Sequence, residues 1–246
     1  MPGGVDAVVA DLTEQVSLAA VPESLDIVIF SASPDGGDAA AYERTYITGL
    51  RNLLEELQRR GNRPRRIMLT SSTGVYGHTD GSWVDETSPP APQSEKSEIL
   101  WRAERLLLES GWPAIAVRLG GIYGAGRQRL IDNVRAGKTE CIDGLPQYTN
   151  RIHRDDIAGV VFHLARLEAP ETLYLGVDCL PAERCEVLRW LAQHLDAAPP
   201  RTRPATADDA KQSNKRCSNR RLLASGYAFR FPSYREGYTD VLAQLK

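Results

Sequence analysis

The residues R-R-I-M-L-T-S-S-T-G-V-Y-G, from Arg65 to Gly77, contain a short apolar run followed by hydroxyls and glycines. Ile67 to Leu69 has the composition of a buried strand, and the polar residues after it have that of a loop. The carboxyl ends of parallel strands are where such sheets bind ligands. The hydroxyl cluster is therefore either part of a site or a cap for the turn that follows, and the local composition leaves both open.

The overall composition is typical of a globular protein with a substantial core. The chain has 246 residues, of which 42% are hydrophobic and 25% charged, with a net charge of −2. The slightly negative net charge indicates neither a nucleic-acid partner nor a membrane surface. No apolar run approaches the roughly 18 residues of a spanning helix. The first residues lack the features of a signal peptide, so a cytoplasmic location is predicted. The four cysteines show no C-x-x-C spacing, so we expect reduced, packed thiols and no metal site.

Apolar strands alternate with amphipathic helices through the first half of the chain. This order predicts a mostly parallel sheet with helices on both faces, a doubly wound α/β fold. The predicted strands are Val5 to Leu12, Leu25 to Phe30, Ile67 to Leu69, Pro113 to Leu119 and Leu173 to Val177, and the predicted helices are Ala39 to Arg60, Ser94 to Ser110, Asp155 to Leu167 and Ala182 to Leu195.

The last part of the chain is polar and basic. The span from Arg201 to Arg235 contains nine Lys or Arg residues, two Asp and no Glu. Such a run is typical of a solvated surface, and the alternative is a cradle for a phosphate or diphosphate.

Several motifs along the chain, in this order, resemble those of the extended and atypical short-chain dehydrogenase/reductases, the NAD-dependent epimerase/dehydratase family. They are V-V-A-D-L at Val8 to Leu12, I-M-L-T-S-S-T-G-V-Y-G at Ile67 to Gly77, A-E-R-L-L at Ala103 to Leu107, V-R-L-G-G-I-Y-G-A-G at Val117 to Gly126, and R-I-H-R-D-D-I-A at Arg151 to Ala158.

The resemblance implies a Rossmann-like fold that binds NAD or NADP, with a smaller C-terminal substrate-binding region. It implies that residues 1–127 form the cofactor-binding core, to which 151–178 return, and that 128–150 and 179–246 bind the substrate. Ser72 matches the active-site serine, and Asp11 matches the acidic residue that contacts the adenine. Ser31, Ala32 and Ser33 match the loop at the ribose and pyrophosphate, and Leu119, Gly120, Gly121 and Ile122 match the stretch beside the nicotinamide. Thr73, Tyr76 and Arg127 are predicted to bind the substrate. His153 and Asp156 match a motif that is largely architectural.

The amino terminus departs from the family pattern. The family begins with a strand, a glycine-rich turn and a helix that bind the pyrophosphate through backbone N–H groups. Here Pro2, Gly3 and Gly4 come directly before a strand that corresponds to the family's third. We expect that the fold is amino-terminally truncated in this sequence and that roughly 50 to 60 residues precede Met1 in the full protein, since a βαβ unit takes 30 or more.

The catalytic pair is a second departure. The family uses Tyr-x-x-x-Lys, whose lysine lowers the pKa of the tyrosine. Counting back from Glu104 places Leu100 at the lysine position and Lys96 at the tyrosine position. The sequence therefore predicts an NAD(P)-dependent epimerase/dehydratase-like oxidoreductase acting on a nucleotide sugar or similar hydroxylated substrate. The alternative is an NAD(P)-binding sensor or scaffold without turnover. A small-molecule substrate and a homodimer are the partners considered.

Overall fold

The computed structural model describes residues 4–245; Pro2 and Gly3, which precede the first predicted strand, lie outside this range. The strands are β1 (Ile27–Phe30), β2 (Arg66–Ser72), β3 (Trp83–Val84), β4 (Ala114–Leu119), β5 (Gly121–Tyr123), β6 (Glu140–Asp143), β7 (Tyr148–Thr149), β8 (Arg151–His153), β9 (Leu173–Gly176), β10 (Ala182–Glu183), β11 (Arg201–Pro204) and β12 (Arg216–Cys217). The α-helices are α1 (Ala39–Tyr42), α2 (Leu50–Arg59), α3 (Glu95–Leu108), α4 (Arg129–Arg135), α5 (Arg154–Arg166), α6 (Arg184–His194), α7 (Arg220–Ala224) and α8 (Tyr234–Gln244).

Four strands form a central parallel sheet in the order β1-β2-β4-β9. In the β1–β2 pair, Ile27 lies opposite Arg66 and Phe30 opposite Leu69. The side chains of Ile67, Met68 and Leu69 are almost completely buried, as a strand covered on both faces requires. The α/β fold with a mostly parallel sheet, predicted from the apolar runs, is confirmed.

The first predicted helix, Ala39 to Arg60, is one continuous helical segment. It consists of α1, a π-helical stretch from Glu43–Gly49, and α2. The Asp38 carboxylate caps its first turn by accepting from the Ala41 N–H at 2.8 Å. On α2, the leucines at 50, 53, 54 and 57 are buried on one face against the apolar residues of β1 and β2. The three- and four-residue spacing of these leucines is what made the helix predictable.

The chain divides into two compact units. One contains residues up to 71 together with 92–117, and the other contains 72–91 and 118–245. The core of the first lies between β1, β2 and the helices α2 and α3. The core of the second is formed by side chains of α4, α6 and α8. The predicted division into cofactor-binding and substrate-binding regions concerns function and stays a prediction.

The predicted strand from Val5 to Leu12 is wrong. This segment forms no strand, and Val5 and Val9 are 70% and 96% exposed. Its end is held by a local bond, from the Asp11 N–H to Ser17 Oγ at 2.8 Å, and by a distant one, from the Asn52 amide of α2 to the Leu12 carbonyl. Strand propensity reflects packing on a paired, half-buried surface, so β-branched residues alone do not make a strand.

The prediction that all four cysteines are reduced is also wrong. Cys141 in β6 and Cys185 in α6 form a disulfide, with their Cα atoms 5.4 Å apart. The two residues are 44 positions apart, and no spacing rule identifies such a pair in advance. Cys179 and Cys217 are free thiols.

No helix within residues 4–245 has the length and apolar character that crossing a membrane requires.

Candidate active site

A cavity of about 750 Å³ lies where β2 ends. Ser72, the last residue of this strand, lines it together with Thr73 and Gly74. The Ser72 Oγ accepts a hydrogen bond from the Gly74 N–H at 3.0 Å, so the serine also caps the short 3₁₀ turn that follows. The two interpretations of the hydroxyl cluster are therefore compatible, because Ser72 caps a turn and lines a cavity.

The strand β5 forms a second wall of the cavity. It pairs in parallel with β8, with Gly121 opposite Arg151, and both Gly121 and Ile122 line the cavity. A Cβ at Gly120 would lie 3.0 Å from the carbonyl carbon and oxygen of Asn150. The chain after β4 therefore approaches the start of β8 more closely than a side chain would permit. Leu119 and Gly120, two of the residues predicted to lie beside the nicotinamide, are buried and do not line the cavity.

Cations line the cavity without any carboxylate. Arg127, Arg129, Arg151 and Lys215 are among its lining residues, and no Asp or Glu of the described chain is. Arg151 and Lys215 are buried, whereas Arg127 and Arg129 are exposed. The rest of the lining consists of apolar, aromatic, amide and hydroxyl groups from Tyr123, Leu130, Asn133, Tyr148, Thr149, Asn150, Ser213 and Tyr238. A cavity with this charge favours an anionic ligand.

Asn150 fixes the position of Lys215. Its side-chain amide donates to the Lys215 carbonyl at 3.0 Å and accepts from the Cys217 N–H at 2.7 Å. Asn214 makes a similar pair of bonds, accepting from the Tyr148 N–H and donating to the Pro146 carbonyl. The segment that carries Lys215 is thus held at both ends by side-chain amides.

Sequence reasoning missed Lys215. It lies in the basic stretch interpreted as a solvated surface, yet its side chain is only 4% exposed. Its ammonium donates to Ser213 Oγ at 2.6 Å, and burial lowers the pKa of the group. No signal in the sequence distinguishes this lysine from exposed basic residues of the same stretch such as Lys211 and Arg220, because the backbone bond that positions it comes from Asn150, 65 residues earlier.

Comparison with known proteins identifies the family. The model of the NAD(P)H-binding family matches residues 1–167. The chain belongs to this family.

A solved protein from Methylobacillus flagellatus, provisionally described as an NAD-dependent epimerase/dehydratase, is 34% identical, with a TM-score of 0.80 over 100% of this chain and 86% of that one. Protein YeeZ of Escherichia coli K12 is 33% identical over 141 residues, which cover 56% of this chain and 49% of YeeZ. The chain thus matches about half the length of this curated relative.

A third protein has the same fold at lower identity. MoeE5, solved in complex with UDP-glucose and NAD, is 21% identical, with a TM-score of 0.77 over 96% of this chain and 84% of that one. The resemblance to epimerase/dehydratases, the Rossmann-like fold and the NAD(P)-binding class are confirmed.

In this NAD(P)H-binding protein, the predicted cofactor-binding residues other than those at 119–122 lie in the first unit. Asp11 is exposed, and its carboxylate accepts from the Thr13 N–H and hydroxyl at 2.8 and 2.7 Å, which lowers its pKa. Ser31, Ala32 and Ser33 directly follow β1. Within residues 4–245 neither serine side chain has a hydrogen-bond partner. A carboxylate and two hydroxyls with open bonding positions fit the hydroxyl and phosphate groups of a dinucleotide.

Tyr76 does not line the cavity. Its hydroxyl donates to the Asp85 carbonyl at 2.7 Å and accepts from Arg118 Nη1 at 2.6 Å. Burial raises the pKa of Tyr76 to about 12, although the neighbouring guanidinium opposes this shift. This phenol is fully engaged in the protein's interior, and its predicted role in substrate binding has no support from its position.

The two positions aligned with the catalytic pair carry Lys96 and Leu100, which do not reproduce it. Lys96 is exposed in the first turn of α3, with its ammonium 5.7 Å from the ring centre of Tyr42. Leu100, one turn further on, is buried. Proton transfer in this protein cannot use the family's tyrosine and lysine at these positions.

His153 and Asp156, matched to a motif that is largely architectural, form hydrogen bonds with other residues of the chain. The Asp156 carboxylate, 1% exposed, accepts from the Tyr227 hydroxyl and from the N–H groups of Arg230 and Phe231, all within 2.9 Å. The His153 Nδ1 accepts from the Asp155 N–H and caps α5, and burial lowers the pKa of this histidine. Both residues connect chain segments and neither lines the cavity.

Proposed function

We propose that this protein is an NAD(P)-dependent oxidoreductase of the epimerase/dehydratase type whose substrate is a nucleotide sugar or a similar hydroxylated anion. The observation that carries the proposal is the cavity itself, which the Ser72 and Thr73 hydroxyls line together with three arginines, one lysine and no carboxylate. Hydroxyls suit the sugar, and guanidinium groups bind diphosphates through paired N–H donors. The complex of MoeE5 with UDP-glucose and NAD supports this ligand class.

Each part of the reaction would fall to particular residues. Ser72 would hold the reacting hydroxyl or carbonyl of the sugar, and Arg127, Arg129 and Arg151 would bind the diphosphate. Asp11, Ser31 and Ser33 would hold the adenosine side of the dinucleotide, and Gly121 and Ile122 would lie at its nicotinamide. When bound, NAD(P) supplies hydride transfer to and from the substrate carbon, and the protein supplies binding and orientation.

The test is turnover of nicotinamide absorbance with a panel of UDP- and dTDP-sugars, using NAD⁺ and NADP⁺ separately. We expect Ser72→Ala to lower kcat/KM by about 10²-fold, the lower end of what positioned polar groups contribute. Ser94→Ala is the matched control, because Ser94 also caps a helix through its hydroxyl but does not line the cavity. Equal activity of the wild type and Ser72→Ala would contradict the assigned role of Ser72.

Binding of UDP tests the cation-lined wall without requiring turnover. Arg127→Ala and Arg129→Ala should each weaken UDP binding by about tenfold, since one lost charge-assisted contact costs roughly 1.5 kcal/mol or more. Arg189→Ala, on an exposed position of α6, should leave binding unchanged. UDP affinity that is the same in all three variants would contradict diphosphate binding in this cavity.

A second candidate is a sensor or scaffold that binds NAD(P) without turnover. The observation that favours it is the buried leucine at position 100 and the exposed lysine at position 96, in place of a catalytic pair. Tight NADP(H) binding in calorimetry, with no turnover over the whole sugar panel, would support it. A cytoplasmic location and a homodimer stay predictions from the sequence.

A further inference from the structure

Lys215 is a buried amine that has no acidic partner within residues 4–245. Its side chain is 4% exposed, and no carboxylate of the described residues forms an ion pair with it. The neutral Ser213 hydroxyl accepts its hydrogen bond at 2.6 Å. A buried ammonium without a counter-charge loses hydration that a single hydroxyl does not replace. The surroundings of Lys215 therefore favour the neutral amine, and burial lowers its pKa.

The lysine lines the same cavity as the hydroxyls at the end of β2. Thr73 and Lys215 both act to lower the pKa of the Cys217 thiol, against the larger effect of its burial. Cys217 lies in β12, which pairs with β3, and its N–H is bound by Asn150. The lysine thus lines the same cavity as Ser72 and Thr73, from a backbone that Asn150 holds in place.

Other charged and titratable groups lie around Lys215. Burial raises the pKa values of Tyr123, Tyr238 and Cys217, away from proton exchange near neutral pH, and a guanidinium group in general does not act as a base in proteins. The charged and titratable groups around Lys215 are Arg127, Arg129 and Arg151, the three cavity tyrosines at 123, 148 and 238, and Cys217. Lys215, a cavity-lining amine whose pKa burial lowers, is the group among them best matched to proton transfer.

We propose that Lys215 is the catalytic acid and base of this cavity, exchanging the proton of the substrate hydroxyl held at Ser72. The inference rests on the proposed function. When an alcohol is oxidised, its O–H bond breaks, an N–H bond forms on the neutral Lys215 amine, and the carbon–oxygen single bond becomes double. The carbon-bound hydrogen and its two bonding electrons would be transferred as a hydride to the oxidised nicotinamide dinucleotide, which would thereby be reduced. In the opposite direction the Lys215 ammonium returns the proton to oxygen.

The protonation of Lys215 can be measured without any substrate. The chain has five lysines, at 96, 138, 211, 215 and 246, so their reactions are resolved by peptide mass spectrometry. Cyanate carbamylates only the neutral amine, and the pH at half-maximal rate reports each pKa regardless of access. Lys211, exposed and paired with Asp208 at 2.9 Å, is the internal control.

We expect the midpoint of Lys215 to lie at least about one pH unit below that of Lys211, a tenfold difference in protonation equilibrium. UDP-glucose at saturation should slow the reaction of Lys215 and leave that of Lys211 unchanged. Equal midpoints for the two lysines would overturn the proposal. This measurement uses the wild-type protein, so it does not depend on whether a variant folds.

The variant Lys215→Arg separates proton transfer from charge, because arginine keeps the cation but does not release its proton. With whichever nucleotide sugar the wild type oxidises, we expect kcat to fall by about 10²-fold or more. UDP affinity should stay within a few-fold, and the rise of kcat with pH should disappear. Lys211→Arg should match the wild type. A Lys215→Arg protein with wild-type kcat would refute the assignment.

The two proposals fail in different ways. A wild-type protein that oxidises none of the sugars contradicts the proposed substrate class. The proposal for Lys215 is then tested only by its cyanate midpoint and by whether UDP-glucose slows its carbamylation. Turnover by the wild type together with full activity of Lys215→Arg contradicts only the lysine.

Discussion

The hydroxyl of Tyr123 lies in the space that a side chain on Gly237 would occupy. An added Cβ at Gly237 would overlap the Tyr123 hydroxyl oxygen and its ring. Tyr123 is 3% exposed, and its ring also packs on Tyr238 at a centroid distance of 4.5 Å. Gly237 in α8 therefore provides the room for a tyrosine that lines the cavity.

Gly237→Ala should destabilise the protein by roughly 1–3 kcal/mol. The destabilisation from overpacking a closed core exceeds the stabilisation that the higher helix propensity of alanine provides. Urea unfolding measures the effect. Gly37→Ala is the control, since a Cβ there meets nothing within 4 Å, and it should stay within about 0.5 kcal/mol of the wild type. A Gly237→Ala protein as stable as this control would show that Tyr123 moves aside freely.

Ser71 and Ser72 are adjacent hydroxyls that should respond differently to removal. Ser71 Oγ donates to the buried Glu104 carboxylate at 2.5 Å, whereas Ser72 faces the cavity and caps a turn. We expect Ser71→Ala to cost about 1–3 kcal/mol of unfolding free energy, because a buried carboxylate loses a donor. Ser72→Ala should cost about 1 kcal/mol or less. The reverse order of stabilities in thermal or urea unfolding would contradict these positions.

Asp178 should make the protein less stable as the pH rises. Burial raises the pKa of Asp178 to about 7, with the Leu180 N–H and Arg151 opposing the shift. The folded protein therefore keeps this proton where the unfolded chain has released it, so the stabilisation is present at low pH and declines between about pH 4 and 7. Asp178→Asn keeps the shape and removes the titration.

The unfolding free energies of wild type and Asp178→Asn should be compared at pH 5 and pH 8. From the two pKa values we expect the wild type to lose about 2–3 kcal/mol more than the variant over this interval. A parallel pH dependence of the two proteins would show that Asp178 is ionised in the folded state at neutral pH.

The cysteines should divide into two classes when the protein is unfolded without reductant. Iodoacetamide should then modify Cys179 and Cys217 and leave Cys141 and Cys185 unmodified. After reduction all four should react, and the free energy of unfolding should fall by up to about 4 kcal/mol, as closure of a loop of this length implies. Four reactive thiols without reductant would contradict the disulfide.

The strands of the sheet were predictable because each is a short apolar run followed by turn residues. Buried strands such as Ile67 to Leu69 carry this information locally. Val5 to Leu12 has the same local signal but no strand forms there, since a strand also needs a partner that composition does not supply. The helices at 39–60 and 94–110 were predictable for the corresponding reason, a periodic apolar face.

The candidate site could be predicted only where it coincides with a strand end. Ser72 and Thr73 follow an identifiable strand, and Gly121 and Ile122 lie in a recognisable motif. Lys215 could not be found in this way, because hydrogen bonds from Asn150, 65 residues earlier, place it in the cavity. The Cys141–Cys185 disulfide could not be predicted for the same reason. Both depend on contacts between distant segments, which local patterns do not contain.

Asn150 has a consequence for how this cavity can change over evolutionary time. Its codon differs from an aspartate codon by one nucleotide, and that mutation keeps the acceptor for the Cys217 N–H while it removes the donor to the Lys215 carbonyl. It would also add an acid to a cavity wall that has none. A single inherited base change would thus remove one of the bonds that hold the Lys215 backbone and make the lining of the cavity less positive.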